Sequence, residues 1–180
     1  MTTYENEFNA AVDFTLRSEG VLSNNPNDSG GLTKFGITQA TWTAYLGHVA
    51  GGVSLPRSVA QITVDMAIDC YHVVFWTETG IASLPRELQG PAFDCAVNSG
   101  PALAIKSIQS AVCATVDGEL GPNTLAKLAS LQPPALRRVR NDAVTYRLIF
   151  DADLVQHNAK DVTFIEGWVR RVTKLYDFAY

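Results

Sequence analysis

The stretch Arg17–Thr38, RSEGVLSNNPNDSGGLTKFGIT, carries more information about structure and chemistry than any other part of this chain. An amphipathic helical segment ends within it, at Glu19. Asp28 follows in NNPNDSGG, a run of turn-forming residues that excludes a helix. Short extended pieces at Val21–Leu22 and Lys34–Ile37 flank this run, so we predict a small β-hairpin flap here.

Two carboxylates on opposite sides of a tight hairpin suit the cleavage of a glycosidic bond. One protonates the leaving oxygen, and the other acts on a water molecule or on the developing cation. Glu19 is the stronger candidate for the acid, because the negative end of the helix dipole and the apolar neighbours Val21 and Leu22 would raise its pKa. The pattern leaves ordinary alternatives open: Glu19 as an exposed helix-end residue, Asp28 as a turn residue and Thr33 as a strand residue.

The rest of the chain is predicted to be mainly helical, because apolar residues recur at helical spacing and caps or prolines mark helix starts. The predicted helices run from Thr38 to about Leu46, Ser58 to about Trp76, Arg86 to Asn98, Pro101 to about Ala114, Pro122 onwards, Pro133 to about His157 and Val162 to about Phe178. The fold class is therefore mainly α (α+β), a helical domain with a small N-terminal β-hairpin flap at residues 20–38. The length predicts a single domain over residues 1–180, with a catalytic part to about residue 98 and a helical part over about 99–180.

Charge and hydropathy exclude several functions. The chain has a net charge of −4 and no dense basic stripe, which argues against nucleic acid as a partner. No apolar run approaches the roughly 18 to 20 residues that a membrane-spanning helix needs. The start, MTTYENEF, lacks the basic and apolar regions of a secretory signal, so we expect synthesis and retention in a cytoplasm.

Cysteines and histidines show no metal-binding or triad spacing, so no metal and no other cofactor is expected. Cys70, Cys95 and Cys113 lie in apolar helical sequence and are predicted to be buried, reduced thiols. A Cys70–Cys95 disulfide stays open from the sequence alone. Trp42 and Trp76 are predicted to be core residues.

The opening stretch, read as EGxxxNNPNDxGGxTxFGIT, resembles glycoside hydrolase family 108, which comprises lysozyme-like phage endolysins and related bacterial proteins with N-acetylmuramidase activity. FDCAVNSG, DGELGPNT and FIEGWVRRV are similar to later landmarks of that family and follow in the expected order. The resemblance implies a lysozyme-like fold over nearly the whole chain and Glu19 as catalytic acid, with Asp28 and Thr33 at positions that hold or orient water. Val21 and Leu22 depart from the family's Gly-Gly-Tyr run, a difference that bears on sugar stacking or flap packing and leaves the acid in place.

Three further residues are candidates for substrate binding. Asn98 and Ser99 stand at a helix end, where amide and hydroxyl groups can meet sugar hydroxyls or acetamido groups, although helix capping is an equal alternative. Trp168 lies among polar neighbours in FIEGW and is the candidate platform for sugar stacking. The DGELGPNT segment resembles the turn of helical peptidoglycan-binding modules, so the part from about residue 99 resembles a peptidoglycan-binding subdomain.

The resemblance implies a muramidase that cleaves the β-1,4 bond between N-acetylmuramic acid and N-acetylglucosamine. We expect a phage endolysin, held in the host cytoplasm until lysis, that acts as a monomer on glycan strands of the periplasmic peptidoglycan. Its relation to the membrane stays open, through a holin or a further C-terminal segment. Two alternatives remain: a lytic transglycosylase acting on the same bond, and a non-catalytic wall-binding or secretion-promoting protein.

Overall fold

The structure, a computed structural model, describes residues 4–18, 22–23, 32–49 and 55–179. Its α-helices in these ranges are α1 (Asn6–Ser18), α2 (Gln39–His48), α3 (Val64–Cys70), α4 (Arg86–Ser99), α5 (Pro101–Ala111), α6 (Pro122–Ala129), α7 (Pro133–His157) and α8 (Ile165–Thr173). The strands are β1 (Leu22–Ser23), β2 (Thr33–Lys34) and β3 (Ile37–Thr38), and a π-helix spans Tyr71–Thr77. Short 3₁₀-helices span Val59–Gln61, Ile81–Ser83, Ala159–Thr163 and Lys174–Asp177. The predicted mainly α fold with a small β flap is confirmed.

The flap is an antiparallel sheet in the order β1-β2-β3. Phe35 and Gly36 form the turn between β2 and β3 with φ of 52° and 77°, the positive values that a two-residue hairpin turn requires. The buried Tyr71 hydroxyl donates a 2.6 Å hydrogen bond to the carbonyl of Phe35, which holds this rarely adopted conformation. The prediction of one extended piece over Lys34–Ile37 is therefore wrong, since the turn divides it.

Helix starts with a local cap follow the prediction closely. The Thr38 side chain accepts a hydrogen bond from the backbone N–H of Thr41 at the start of α2, and α2 ends two residues beyond the predicted Leu46. Proline opens α5, α6 and α7 at the first turn, where its missing N–H costs nothing. The predicted end of α7 at His157 is confirmed.

Two predicted helices are interrupted in the structure. Ser58 caps only the 3₁₀-helix Val59–Gln61, and Thr63 caps α3, which continues as the π-helix. Val64, the first residue of α3, is 44% exposed, so the helix begins outside the core. The predicted helix from Val162 to Phe178 is divided into a 3₁₀-helix, α8 and a second 3₁₀-helix.

One large hydrophobic core joins the regions before and after residue 98. Its largest side chains meet edge to face, with ring centroids of Phe8 and Trp76 5.4 Å apart and those of Phe8 and Phe93 5.8 Å apart. Further members from both regions are Trp42, Leu88, Ile108, Leu128, Leu136 and Val139. Because the same cluster contains residues of α1, α4, α5 and α7, these helices hold one another in place. The subdivision near residue 98 stays a prediction.

The thiols differ in their surroundings. Cys70 and Cys95 are buried and free, so the disulfide that the sequence left open is not formed, and burial raises the pKa of each thiol to about 12. Cys113 is exposed, which corrects the prediction of a buried thiol: α5 ends at Ala111, and Cys113 lies in the turn beyond it. Within the described ranges, no helix combines the length and apolar character needed to cross a membrane.

Candidate active site

The predicted catalytic residues fall largely outside the described residues. Glu19 and Asp28 are among those not described, and their roles stay predictions. Glu19 directly follows Ser18, the last residue of α1, in the sequence. Thr33 lies in β2, half-buried, and pairs with Ser23 of β1 and Thr38 of β3. Because Glu19 directly follows α1 in the sequence, the position of α1 is the structural evidence that bears on this predicted acid.

A buried carboxylate on α4 fixes that position. Asp94 is fully buried, and its Oδ1 accepts a 3.2 Å hydrogen bond from the Thr15 hydroxyl of α1. Arg147 of α7 donates from Nη1 to Oδ2 at 2.7 Å, and Arg171 of α8 donates from Nη2 to Oδ1 at 2.7 Å. Asp94 thus connects the last turns of α1 to three other helices.

These contacts offset the unfavourable free energy of burying the charged Asp94 carboxylate. An isolated carboxylate in the interior is very unfavourable, whereas one that is paired with cations and accepts several hydrogen bonds is tolerated. Breaking such a pair by removing one partner typically costs about 3–5 kcal/mol. The sequence does not identify Arg147 and Arg171 as partners of Asp94, since they lie 53 and 77 residues away from it in the chain.

A cleft formed by two adjoining pockets opens beside this network. The first, the basic pocket, has a volume of about 530 Å³ and is lined by Arg17, Asn98, Thr163, Phe164, Gly167, Trp168, Arg170, Arg171 and Lys174. The second, the Asp151 pocket, has a volume of about 320 Å³ and is lined by Asn98, Ser99, Arg147, Phe150, Asp151, Leu154 and Trp168. Asn98 and Trp168 belong to both. The structure therefore brings the three predicted substrate-binding residues, Asn98, Ser99 and Trp168, into one cleft.

Asn98 has a structural role in addition to its place in the cleft. Its Nδ2 donates a 2.7 Å hydrogen bond to the backbone carbonyl of Asp94, one turn earlier in α4. This bond lies within α4 and does not reach the carbonyl groups of its last four residues, so capping by Asn98 stays a prediction. The side chain is nevertheless exposed at the junction of the two pockets, so the amide can also meet a ligand.

Two of the three tryptophans lie in the core, and the third lies in the cleft. Trp42 and Trp76 are 0% and 1% exposed, which confirms them as core residues. Trp168 is half-buried and stacks on Phe164 with a centroid distance of 6.1 Å and an interplanar angle of 20°. Phe164 is 46% exposed. A partly exposed aromatic pair beside a polar cleft presents the type of apolar face on which a sugar ring can pack.

Asp151 is a cleft residue that sequence reasoning missed. It is only 4% exposed, and burial raises its pKa, an effect that Arg147 opposes and Asp94 reinforces. Arg147 Nε and Asp151 Oδ2 are 3.9 Å apart, too far for a hydrogen bond, and neither atom has a hydrogen-bond partner among the residues that the structure describes. The i, i+4 spacing of Arg147 and Asp151 was the available signal, but it is equally typical of an exposed helix pair.

The cleft has the chemistry of a polysaccharide site: polar side chains, an exposed aromatic pair and a buried carboxyl group. Among the described residues, no group of histidine, cysteine, aspartate and glutamate side chains is arranged to hold a metal ion. The cleft offers hydrogen-bonding groups, charged side chains and an apolar face beside the end of α1.

Comparison with known proteins connects this cleft to two families. The family model described as "Glycosyl hydrolase 108" matches residues 12–100, and the one described as "Predicted Peptidoglycan domain" matches residues 103–173. A solved structure entitled "Structure of Brucella abortus SagA" is similar, with 30% identity and a TM-score of 0.77, over 94% of this chain and 91% of that one. No curated protein matches the sequence. Asn98 and Ser99 lie in the first matched region and Asp151 and Trp168 in the second, so the cleft forms where the two regions meet.

Proposed function

Because this chain belongs to glycosyl hydrolase family 108, with a lysozyme-like fold, and is a glycoside hydrolase of peptidoglycan, we propose that it cleaves the β-1,4 bond between N-acetylmuramic acid and N-acetylglucosamine. The observation that carries this proposal is the position of the cleft. It contains Arg17, two residues before Glu19 in the sequence, and it extends onto the region that matches the peptidoglycan domain. A glycan strand in this cleft would lie beside the end of α1.

In the proposed mechanism, Glu19 protonates the glycosidic oxygen as the bond breaks. Asp28, with Thr33, positions the attacking water or stabilises the oxocarbenium-like transition state. Asn98 and Ser99 hydrogen-bond to sugar hydroxyl or acetamido groups, and Trp168 packs against a sugar ring. The separation of the two carboxyl groups determines the stereochemistry, since about 5 Å favours retention and roughly 6.5–9.5 Å favours inversion.

The test of this mechanism is Glu19→Gln, which keeps the shape of the side chain but removes its proton-donating carboxyl group. We expect the rate of turbidity loss of purified peptidoglycan to fall about 100-fold or more, because general acid catalysis contributes about that much. The matched control is Glu78→Gln, an exposed glutamate outside the cleft, which should clear the suspension at the original rate. Unchanged clearing by a folded Glu19→Gln variant would remove Glu19 from its role and favour a non-catalytic wall-binding protein.

Product analysis separates hydrolysis from transglycosylation. A hydrolase adds water and leaves reducing N-acetylmuramic acid ends, whereas a lytic transglycosylase forms anhydro ends without water. We expect mass spectrometry of the digested muropeptides to show reducing muramic acid ends. Predominantly anhydro ends would contradict the assignment of hydrolysis at this bond, and reducing glucosamine ends would contradict the assignment of the bond.

We further propose that the protein is a phage endolysin that stays in the host cytoplasm until lysis and acts as a monomer. The resemblance of the opening stretch to a family that includes phage endolysins supports this placement. Expression in a bacterial cytoplasm should leave cells intact, and co-expression with a holin should lyse them. Lysis without a holin would contradict this export route.

A further inference from the structure

The basic pocket has an unusual charge for a protein of net charge −4. Four cationic side chains line it, Arg17, Arg170, Arg171 and Lys174, and none of the described residues that line it is acidic. These side chains come from the end of α1, from α8 and from the 3₁₀-helix that follows α8. The fold therefore collects positive charge from distant parts of an acidic chain at one place.

The four cations differ in how far other side chains neutralise them. Arg171 is paired with the buried Asp94, and Arg170 Nη2 lies 2.8 Å from Glu166 Oε1 in a pair that is about three-quarters exposed. Within the described ranges, neither Arg17 nor Lys174 forms an ion pair with an acidic side chain. Two cations of the pocket therefore have no acidic partner among the described residues and can attract an anion.

The expected substrate contains anions at a defined position. N-acetylglucosamine has no carboxyl group, whereas muramic acid carries a lactyl ether, and the stem peptide attached to it ends in free carboxylates. The pocket shares Asn98 and Trp168 with the rest of the cleft. A muramic acid ring packed against Trp168 can therefore extend its lactyl substituent into the basic pocket while the glycan stays beside the end of α1.

We propose that the basic pocket binds a carboxylate of the muramic acid substituent, and that the protein for this reason cleaves peptide-bearing glycan strands in preference to bare ones. The proposal rests on the proposed function, since it names the part of that substrate which occupies this pocket. Its volume of about 530 Å³ is far larger than a lactyl carboxylate needs, and its several cationic side chains suit a substituent with more than one carboxylate. Both points favour the stem peptide.

The experiment compares three substrates that differ in their carboxylates. They are intact peptidoglycan, the same glycan after an amidase has removed the peptides and left lactyl carboxylates, and chitin oligosaccharides without any carboxylate. We expect kcat/KM to fall in this order, with the largest step at peptide removal. Added salt should reduce the preference, because these exposed charges are screened by ions.

Variants of the pocket identify the charges involved. Lys174→Gln should reduce the ratio of kcat/KM on intact to stripped glycan about threefold, and Arg17→Gln combined with Lys174→Gln about tenfold, as is typical of exposed charge contacts. The matched control is Arg137→Gln, an exposed arginine of α7 outside the cleft, which should leave the ratio unchanged. If the double variant loses activity equally on all three substrates, the pocket does not bind the substituent and the proposal is wrong.

A binding measurement separates failure of this proposal from failure of the proposed function. Calorimetry with the folded Glu19→Gln variant needs no catalysis, and a disaccharide-peptide should bind more tightly than the disaccharide without its peptide. Equal affinities would overturn the proposal even if the enzyme is active. If stripped glycan is cleaved as efficiently as intact peptidoglycan, and both better than chitin oligosaccharides, the pocket binds the lactyl carboxylate. The proposed preference for peptide-bearing strands would then be wrong. An inactive wild-type protein that still prefers the peptide form would overturn only the proposed function.

Discussion

At the scale of single residues, the burial of Asp151 makes the stability of the protein depend on pH. Burial raises its pKa, so above the usual aspartate range the folded state binds more protons at this site than the unfolded state does. The stabilising contribution of the protonated form is therefore complete below the ordinary pKa and is lost as pH rises through the raised one. We expect the free energy of unfolding of the wild type, minus that of Asp151→Asn, to decrease as pH rises above the ordinary aspartate pKa of about 4, as measured by urea denaturation.

The control for this prediction is Asp153→Asn, which removes an exposed carboxylate from the same helix. If the wild type minus Asp153→Asn difference in unfolding free energy changes with pH as much as the Asp151→Asn difference does, the effect arises from the loss of one negative charge. It would then not arise from the burial of Asp151. A difference that increases with pH would mean that the ion pair with Arg147 outweighs burial.

At the scale of elements, α4 and the C-terminal segment pack so closely that only glycine fits between them. A Cβ at Gly90 of α4 would overlap the ring of Phe178, which also contacts Phe14 of α1 edge to face. We expect Gly90→Ala to lower the free energy of unfolding by about 1–3 kcal/mol, although alanine is the better helix former, because overpacking forces the ring to move. Urea denaturation measures this change.

Gly167 of α8 is the matched control, since a Cβ there meets no atom within 4 Å. Gly167→Ala should raise the free energy of unfolding by about 0.5–1 kcal/mol, through helix propensity and a less flexible unfolded chain. The two substitutions are chemically identical, so opposite signs would demonstrate the packing effect. A gain in stability at both positions would show that Phe178 does not pack as described.

At the scale of the whole molecule, the shared core predicts one cooperative unfolding transition. Trp42 and Trp76 lie in the first matched region, so in a Trp168→Phe variant their fluorescence reports on that region alone, while circular dichroism reports on all helices. We expect the two urea midpoints to coincide, because helices of both regions contribute to the same hydrophobic cluster. Separate midpoints would instead support two independently folding parts divided near residue 98.

Prediction from the sequence succeeded where structure depends on neighbours within a few residues. Thr38 as a cap and the proline starts of α5, α6 and α7 are local features, and the structure has them. The turn at Phe35–Gly36 and the π-helix were missed, because contacts with distant residues stabilise them: the Phe35 carbonyl is held by Tyr71, 36 residues away. Local propensity contains no information about such partners.

By itself the sequence determined the family, the mainly helical fold and the order of the motifs, since spacing and capping are properties of the chain. Only the tertiary structure decided what surrounds the cleft. Asp94 meets Arg147 and Arg171 from 53 and 77 residues away, and Arg17 joins Lys174 in the basic pocket. The physical reason is that charge pairing and burial depend on distances in space. For residues far apart in the chain, these distances are set only when the helices pack.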